Sequence, residues 1–264
     1  MTTEKFHDAA RILGDAAARH ARIDVLPAHL RPRDLEEAYQ IQSALVSQAG
    51  ELVLGLKIAA TSRAGQEHIG IDHPISGQLL ASQVLAPGDT AQMKDNLMQA
   101  AEAEFVFEFA SPVKPRRSPY SWQEVMTSVS HLRLGIELPD SRYRFFSKAG
   151  VAQLVADNAC ANLFVLGPRV PGDWQSDDLS SRPTSLVMDG QEVTKGSGAD
   201  ALGDPRFALT WLVNHLSGRG LNIERGQFVT TGVCGDPAPL GGAHRVAADF
   251  GDYGRIEIGL SYLD

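Results

Sequence analysis

The run Ala101-Glu102-Ala103-Glu104-Phe105-Val106-Phe107-Glu108-Phe109 alternates without a break, and no other stretch constrains the fold as tightly. Ala101, Ala103, Phe105, Phe107 and Phe109 fall on one face of an extended strand, and Glu102, Glu104, Val106 and Glu108 on the other. Carboxylates at i and i+2 point the same way, roughly 7 Å apart on a strand. Like charges that close repel unless water, a cation or a shared proton intervenes. A hard divalent cation resolves the repulsion directly, because Mg²⁺ and Mn²⁺ favour carboxylate oxygens. The alternative is an ordinary strand with a solvated acidic face.

A third acid bears on that choice. Glu137 is a lone carboxylate in the apolar run Leu134-Gly135-Ile136-Glu137-Leu138. A carboxylate buried in such a strand needs a partner. The partner is either a metal shared with Glu102 and Glu104 or a salt bridge to Arg133 or Arg142. Three carboxylates binding through one oxygen each leave about half of an octahedral shell open, which suits a bidentate ligand. Lys57 poses the converse problem in Val53-Leu54-Gly55-Leu56-Lys57-Ile58-Ala59-Ala60. It either meets an anion or snorkels to water from an edge strand.

The remaining pattern divides the chain near Gly50. Ala9, Ala10, Ile12, Leu13, Ala16 and Ala17 recur at helical spacing within 4–20. Pro27 and Pro32 punctuate the connection, Asp34 is an N-cap for a second helix, and Gly50 is its stop. Beyond Gly50 the texture is β-rich, at 52–59, 101–110, 132–138, 162–166, 185–188, 227–231 and 254–260. Asp189-Gly190 signals a two-residue hairpin, and helices interrupt the strands at 122–129 and 205–216. The expected class is α+β: a curved β-roll over 51–264 with an N-terminal helical cap over 1–50.

Composition excludes several functions. A net charge of −8 and a pI near 5.5 argue against nucleic acid as a partner. No apolar stretch has the length of a signal peptide core or a membrane span. Two cysteines, Cys160 and Cys234, are too few for a disulfide framework and fit a reduced, cytoplasmic setting. Cys160 reads as a small core residue, and Cys234 sits in a Gly-rich loop beside the site candidates. The eight histidines show no zinc spacing; His68 and His73 read as surface-loop residues able to act as acid or base. Neither a dinucleotide fingerprint nor a Gly-x-Ser-x-Gly elbow is present. Asp157-Asn158 is either a turn or part of a site, and the backbone at Thr231-Gly232 is either a turn or a nest for a carboxylate.

Six ordered motifs carry a family resemblance. They are Gly55-Leu56-Lys57-Ile58, Glu102-Ala103-Glu104, Glu137-Leu138-Pro139-Asp140-Ser141-Arg142-Tyr143, Val155-Ala156-Asp157-Asn158-Ala159, Leu202-Gly203-Asp204-Pro205 and Thr230-Thr231-Gly232. On these the chain resembles the 2-oxopent-4-enoate hydratases and 4-oxalocrotonate decarboxylases of the fumarylacetoacetate hydrolase superfamily. The resemblance implies that the roll is a mixed β-sandwich, with Mg²⁺ or Mn²⁺ held by Glu102, Glu104 and Glu137. It implies catalytic roles for Lys57 and Asp157, with Asn158, Thr231 and Gly232 binding substrate and the helical cap helping to close the site. It implies a 2-oxo acid substrate and water addition to a 2-hydroxydienoate in aromatic-compound catabolism. The alternatives are decarboxylation of a 4-oxalocrotonate-type acid and a non-catalytic ligand-binding role. It further implies a cytoplasmic homo-oligomer, or a complex with a partner enzyme of the same family. Ile75, in Asp72-His73-Pro74-Ile75-Ser76-Gly77, stands where the hydratase branch usually carries an acid and the decarboxylase branch an isoleucine. The stretch Asp140-Ser141-Arg142-Tyr143 also resembles the decarboxylase branch.

Overall fold

A computed structural model describes residues 3–263, with the side chains of Thr3 and His68 outside the described set. The chain begins with α1 (Thr3–Ala18), whose stripe Ala9, Ala10, Leu13 and Ala16 is buried. Helix α2 (Leu35–Ala49) starts where Asp34 accepts a hydrogen bond from the Glu37 N–H at 2.9 Å. It stops at Gly50, which adopts φ 67° and donates its N–H to the Ser47 carbonyl. The two helices bury their apolar faces in a cluster with Ile75, Tyr143, Leu154 and Val155. The cap is thereby tied to the segment before residue 160 as well as to itself.

The body is built from β1 (Val53–Ala59), β2 (Ile75–Leu80), β3 (Val84–Leu85), β4 (Thr90–Gln92), β5 (Ala100–Phe109), β6 (Val129–Leu138) and β7 (Leu163–Arg169). It continues through β8 (Pro183–Met188), β9 (Gln191–Ser197), β10 (Phe228–Thr230), β11 (Ala238–Pro239), β12 (Arg245–Asp249) and β13 (Arg255–Ser261). Short helices α3 (Arg63–Ile69), α4 (Trp122–Met126), α5 (Phe146–Ala149) and α6 (Val151–Ala156) and the longer α7 (Pro205–Gly218) connect them. One mixed sheet runs β2-β1-β10-β5-β6-β7-β3, with β11 added to β5; the other runs β4-β13-β12-β8-β9. The expected mixed β-roll with a helical N-terminal part is what forms.

The alternation of β5 decides its two environments. Phe105, Phe107 and Phe109 enter the main core with Leu134, Ile136, Val246 and Ile258, drawn from both sheets. The Phe105 ring meets Phe250 edge-on, with centroids 5.2 Å apart. The opposite face carries the carboxylates and, further along, Val106, packed with Phe164, Phe228 and Leu79. Across the β5–β6 ladder Glu102 opposes Glu137 and Glu104 opposes Gly135. A Cβ on Gly135 would come within 2.3 Å of the Phe164 ring, so this position accepts only glycine without repacking. The acidic cluster therefore sits at one end of a face whose other end is closed by apolar packing.

Several elements depart from the sequence expectation. The helix expected over 122–129 ends at Met126, and Val129 already opens β6. Polar α3 has no apolar stripe, and α5 and α6 are broken by Gly150 at φ 86°, so neither pattern reads as a helix. Strands β2 and β12 also go unread. Asp189 and Gly190 take φ 47° and 87°, the doubly left-handed turn expected between β8 and β9.

Candidate active site

The β5–β6 register brings oxygen atoms of Glu102, Glu104 and Glu137 within 4.8 Å of one another. Glu104 and Glu137 are fully buried. The Gly232 N–H donates to Glu104 Oε2 at 2.7 Å, while Glu104 Oε1 accepts no hydrogen bond. Neither oxygen of Glu137 accepts an aligned hydrogen bond. Lys57, from β1, lies with Nζ 2.8 Å from Glu137 Oε1 and donates to the Ala159 carbonyl at 3.1 Å. The arginines considered as partners for Glu137 are engaged elsewhere, Arg133 with Glu108 and Arg142 with Asp157.

Charge balance gives this cluster its character. If all three carboxylates were ionised, one ammonium would leave two negative charges uncompensated in a buried space. Burial, then the Glu137 charge, raises Glu102 to about 7, and Lys57 only partly offsets this. Burial and the same neighbours hold Glu104 well above the usual carboxylate range. Burial opposes the ammonium of Lys57, but Glu137, Glu102 and Glu104 together keep its pKa above the ordinary lysine value. A divalent cation would cancel the excess charge and supply a partner to Glu104 Oε1 and Glu137 Oε2, which accept no hydrogen bond and face no ammonium. The all-oxygen donor set fits a hard ion.

Other residues singled out in the sequence are placed differently. Asp157, read as catalytic, is fully buried and spoken for: Oδ2 accepts from Ser141 Oγ at 2.7 Å and from the Arg142 N–H at 2.9 Å, and Oδ1 accepts from the Arg142 guanidinium. Asn158, read as a substrate ligand, uses its amide to bond the Gln78 N–H and C=O, each at 2.8 Å. Thr231 turns its hydroxyl to the Phe105 carbonyl at 2.9 Å. Gly232 does reach the cluster, but its N–H holds Glu104 instead of forming an open nest. The polar side-chain atoms of Asp157, Asn158 and Thr231 are thus engaged within the protein. Residues Asn158, Ala159 and Cys160 take φ values of 57°, 51° and 60°, and this left-handed stretch presents the Ala159 carbonyl to Lys57. His73 is exposed beside Asp72, while the His68 side chain lies outside the described residues. Burial pushes the Cys160 thiol up to about 12, which argues against a nucleophile. Burial and Glu104 raise Cys234 as well.

A cavity of about 470 Å³ opens over the cluster and is lined by Lys57, Glu102, Thr61, Ile75, Phe146 and Leu154, among others. Thr61 escaped the sequence reading. It is 4% exposed, its Oγ1 has no hydrogen-bond partner, and it packs against Gly232 so closely that a Cβ there would lie 2.2 Å from that oxygen. Gly232 itself, at φ 91°, is suited to this close approach.

The architecture is that of the fumarylacetoacetate hydrolase fold. 4-Oxalocrotonate decarboxylase from Pseudomonas putida G7, complexed with magnesium and adipate, superposes with a TM-score of 0.90 at 24% identity over 99% of each chain. A fumarylacetoacetate hydrolase family protein from Yersinia pestis matches with a TM-score of 0.59 at 12% identity, over 78% of this chain and 92% of its own. No protein-family model matches the chain. In sequence, the 2-keto-4-pentenoate hydratase of Burkholderia vietnamiensis is 30% identical over 217 residues, 82% of this chain and 81% of that protein. The chain belongs to the 2-keto-4-pentenoate hydratase family and is a lyase with a group of acids able to hold a divalent metal.

Proposed function

We propose that the protein is a divalent-metal-dependent hydro-lyase that adds water to a 2-hydroxydienoate, the enol of a 2-oxo-4-enoate such as 2-oxopent-4-enoate. The observation that carries this reading is the convergence of three carboxylates, two of them with unpartnered buried oxygens, beside a buried ammonium and against a largely apolar cavity that Glu102 and Lys57 line. An ion held by Glu102, Glu104 and Glu137, with Mg²⁺ or Mn²⁺ as candidates, would supply Lewis-acid charge to the 1-carboxylate and 2-oxygen of the substrate.

The chain's own groups do the rest. Lys57 stays charged because Glu137 faces it, and its ammonium compensates negative charge gathering on the substrate's 2-oxygen. The Gly232 N–H fixes the Glu104 carboxylate and leaves Oε1 available. Ketonisation moves the 2-hydroxyl proton to C5 and leaves a C3–C4 double bond conjugated to the new carbonyl. Water then bonds through oxygen to C4, and its other proton goes to C3. Thr61 Oγ1 is the neutral donor on the cavity lining for orienting that water or the 2-oxygen. Asp157, paired to Arg142, and Asn158, clamped to β2, hold the Ala159 carbonyl against Lys57. Product analysis with vinylpyruvate, with and without Mg²⁺, tests the reading: metal-dependent 4-hydroxy-2-oxo acid supports it, and its absence removes it.

Ile75 favours a second reading. It lines the cavity, 2% exposed, where the acidic side chains on the lining are Glu102 of the cluster and the exposed Asp236. Decarboxylation needs no acid for the bond-breaking step: the electrons of the C–CO₂ bond enter the conjugated 2-oxo system and CO₂ departs. Carbon dioxide release from 4-oxalocrotonate would identify that branch.

Two further assignments rest on the same reading. Residues 1–50 act as a cap domain on a catalytic roll of 51–264, bracing one cavity wall through the cluster that includes Ile75 and Leu154. The protein works in the cytoplasm as a homo-oligomer or with a partner enzyme of its family; its two cysteines are unpaired, and Phe207 and Trp122 present exposed rings on or beside α7 and α4. No helix among the described residues is long and apolar enough to cross a membrane.

A further inference from the structure

The cavity lining is of two chemical kinds. Glu102, Lys57 and Thr61 supply polar groups beside the acidic cluster. The cavity walls also carry Ile69 of α3, Ile75 of β2, Phe146 of α5 and Leu154 of α6. Ile75 and Leu154 are buried and belong to the apolar cluster that contains Leu13 and Ile41 of the cap, so this wall is braced from behind.

Among the described side chains that line the cavity, Lys57 alone is cationic, and it faces Glu137 and the Ala159 carbonyl. The remaining charge on the lining is the exposed carboxylate of Asp236. A second carboxylate at the far end of a substrate would meet apolar carbon and a like charge, and would lose hydration without gaining a partner. An alkyl or aryl tail would leave water for a matching surface. At about 470 Å³ the space is also in the range that accepts drug-sized ligands, well beyond a five-carbon acid.

We infer that this site takes 2-oxo acids with one carboxylate and an apolar tail longer than a vinyl group, and discriminates against those with a distal second carboxylate. The inference rests on the proposed metal-bound 2-oxo acid head group, and it excludes the decarboxylase reading, whose substrate 4-oxalocrotonate carries a distal second carboxylate. Its specificity-determining residues are Ile69, Ile75, Phe146 and Leu154.

The test is calorimetric binding of saturated, unreactive 2-oxo acids to the Mg²⁺-loaded protein. 2-Oxobutanoate, 2-oxohexanoate and 2-oxooctanoate form the tail series, and 2-oxohexanedioate is the diacid. Affinity is expected to rise by up to about fourfold per added methylene, the equivalent of ~0.8 kcal/mol per buried CH₂. The diacid is expected to bind at least tenfold more weakly than 2-oxohexanoate. Affinity that is flat along the series, or a diacid that binds as well as the monoacid, would overturn the inference and leave the head-group reading standing. Binding of Mg²⁺ with no binding of any 2-oxo acid would overturn both. As a second arm, Ile69→Arg places a cation on a half-buried wall position. It should shift the diacid-to-monoacid ratio at least tenfold toward the diacid, and an unchanged ratio would mean that the tail does not lie against this wall.

Discussion

Lys57 Nζ and Glu137 Oε1 lie 2.8 Å apart, both buried, yet the pair does not neutralise the space around it, because Glu102 and Glu104 share the same few ångströms. The lysine is outnumbered by the acids it serves. That imbalance distinguishes a group of acids suited to a cation from an ordinary buried salt bridge, in which charges cancel.

Removing one acid should therefore weaken metal binding. Glu104→Gln is expected to lower Mg²⁺ or Mn²⁺ affinity by ~10-fold or more, at least as much as loss of an outer-sphere partner costs. Activity should fall with it. Calorimetry that finds unchanged metal affinity in this variant would remove Glu104 from the ligand set.

Lys57→Met keeps most of the side-chain stem and removes the charge. The variant is expected to bind metal and to lose kcat by about a hundredfold or more, the scale of a lost electrostatic stabiliser. Circular dichroism and metal titration separate this from misfolding. Retained turnover would restrict Lys57 to a structural role.

Much of this site was legible as charge in the wrong place. Glu137 and Lys57 interrupt apolar strands, and Glu102 and Glu104 share one face of an alternating strand, so each advertised an unmet need before any fold was known. Thr61 carried no such mark. It meets Gly232, a residue distant in the sequence, only through the fold, and its hydroxyl finds no partner there. Asp157 lies inside a family motif, and what the sequence does not reveal is that Arg142 and Ser141 engage both of its oxygens. Helix boundaries followed the same logic. Asp34 and Gly50 satisfy backbone groups locally and were readable, whereas α5 and α6 are held by the apolar cluster under the cap and left no periodic signal.

Thr61→Val should cost about tenfold in kcat/KM, near the net worth of one hydrogen bond to a reacting group. Thr61→Ser should restore most of it. Equal activity in all three proteins would show that the hydroxyl takes no part.

Metal binding should release protons at neutral pH. Glu102 titrates near 7 in the metal-free fold, above its unfolded value, so it is partly protonated there and must ionise to bind. By the same linkage, this group favours the metal-free fold below its unfolded pKa, and that contribution is lost as pH rises through about 7. Melting temperature of the metal-free protein should thus fall between about pH 5 and pH 8 more steeply than in Glu102→Gln. Binding enthalpies measured in buffers of different ionisation heat should reveal the released protons, and buffer-independent enthalpies would contradict this.

The Asp157–Arg142 pair is predicted to matter first to stability. Both residues are nearly inaccessible, so Asp157→Ala leaves an unpaired buried guanidinium and should cost about 3–5 kcal/mol. Chemical denaturation measures it, and a loss below about 1 kcal/mol would mean that the pair is not a brace.

The most direct test of the central claim is to follow hydration of freshly generated 2-hydroxypenta-2,4-dienoate by the chelated protein while Mg²⁺ is titrated back. The account predicts no turnover in chelator, 4-hydroxy-2-oxopentanoate formation that saturates with one Mg²⁺ per chain, and neither effect in Glu137→Gln. Full activity in chelator, or equal Mg²⁺-dependent turnover in Glu137→Gln, would contradict it.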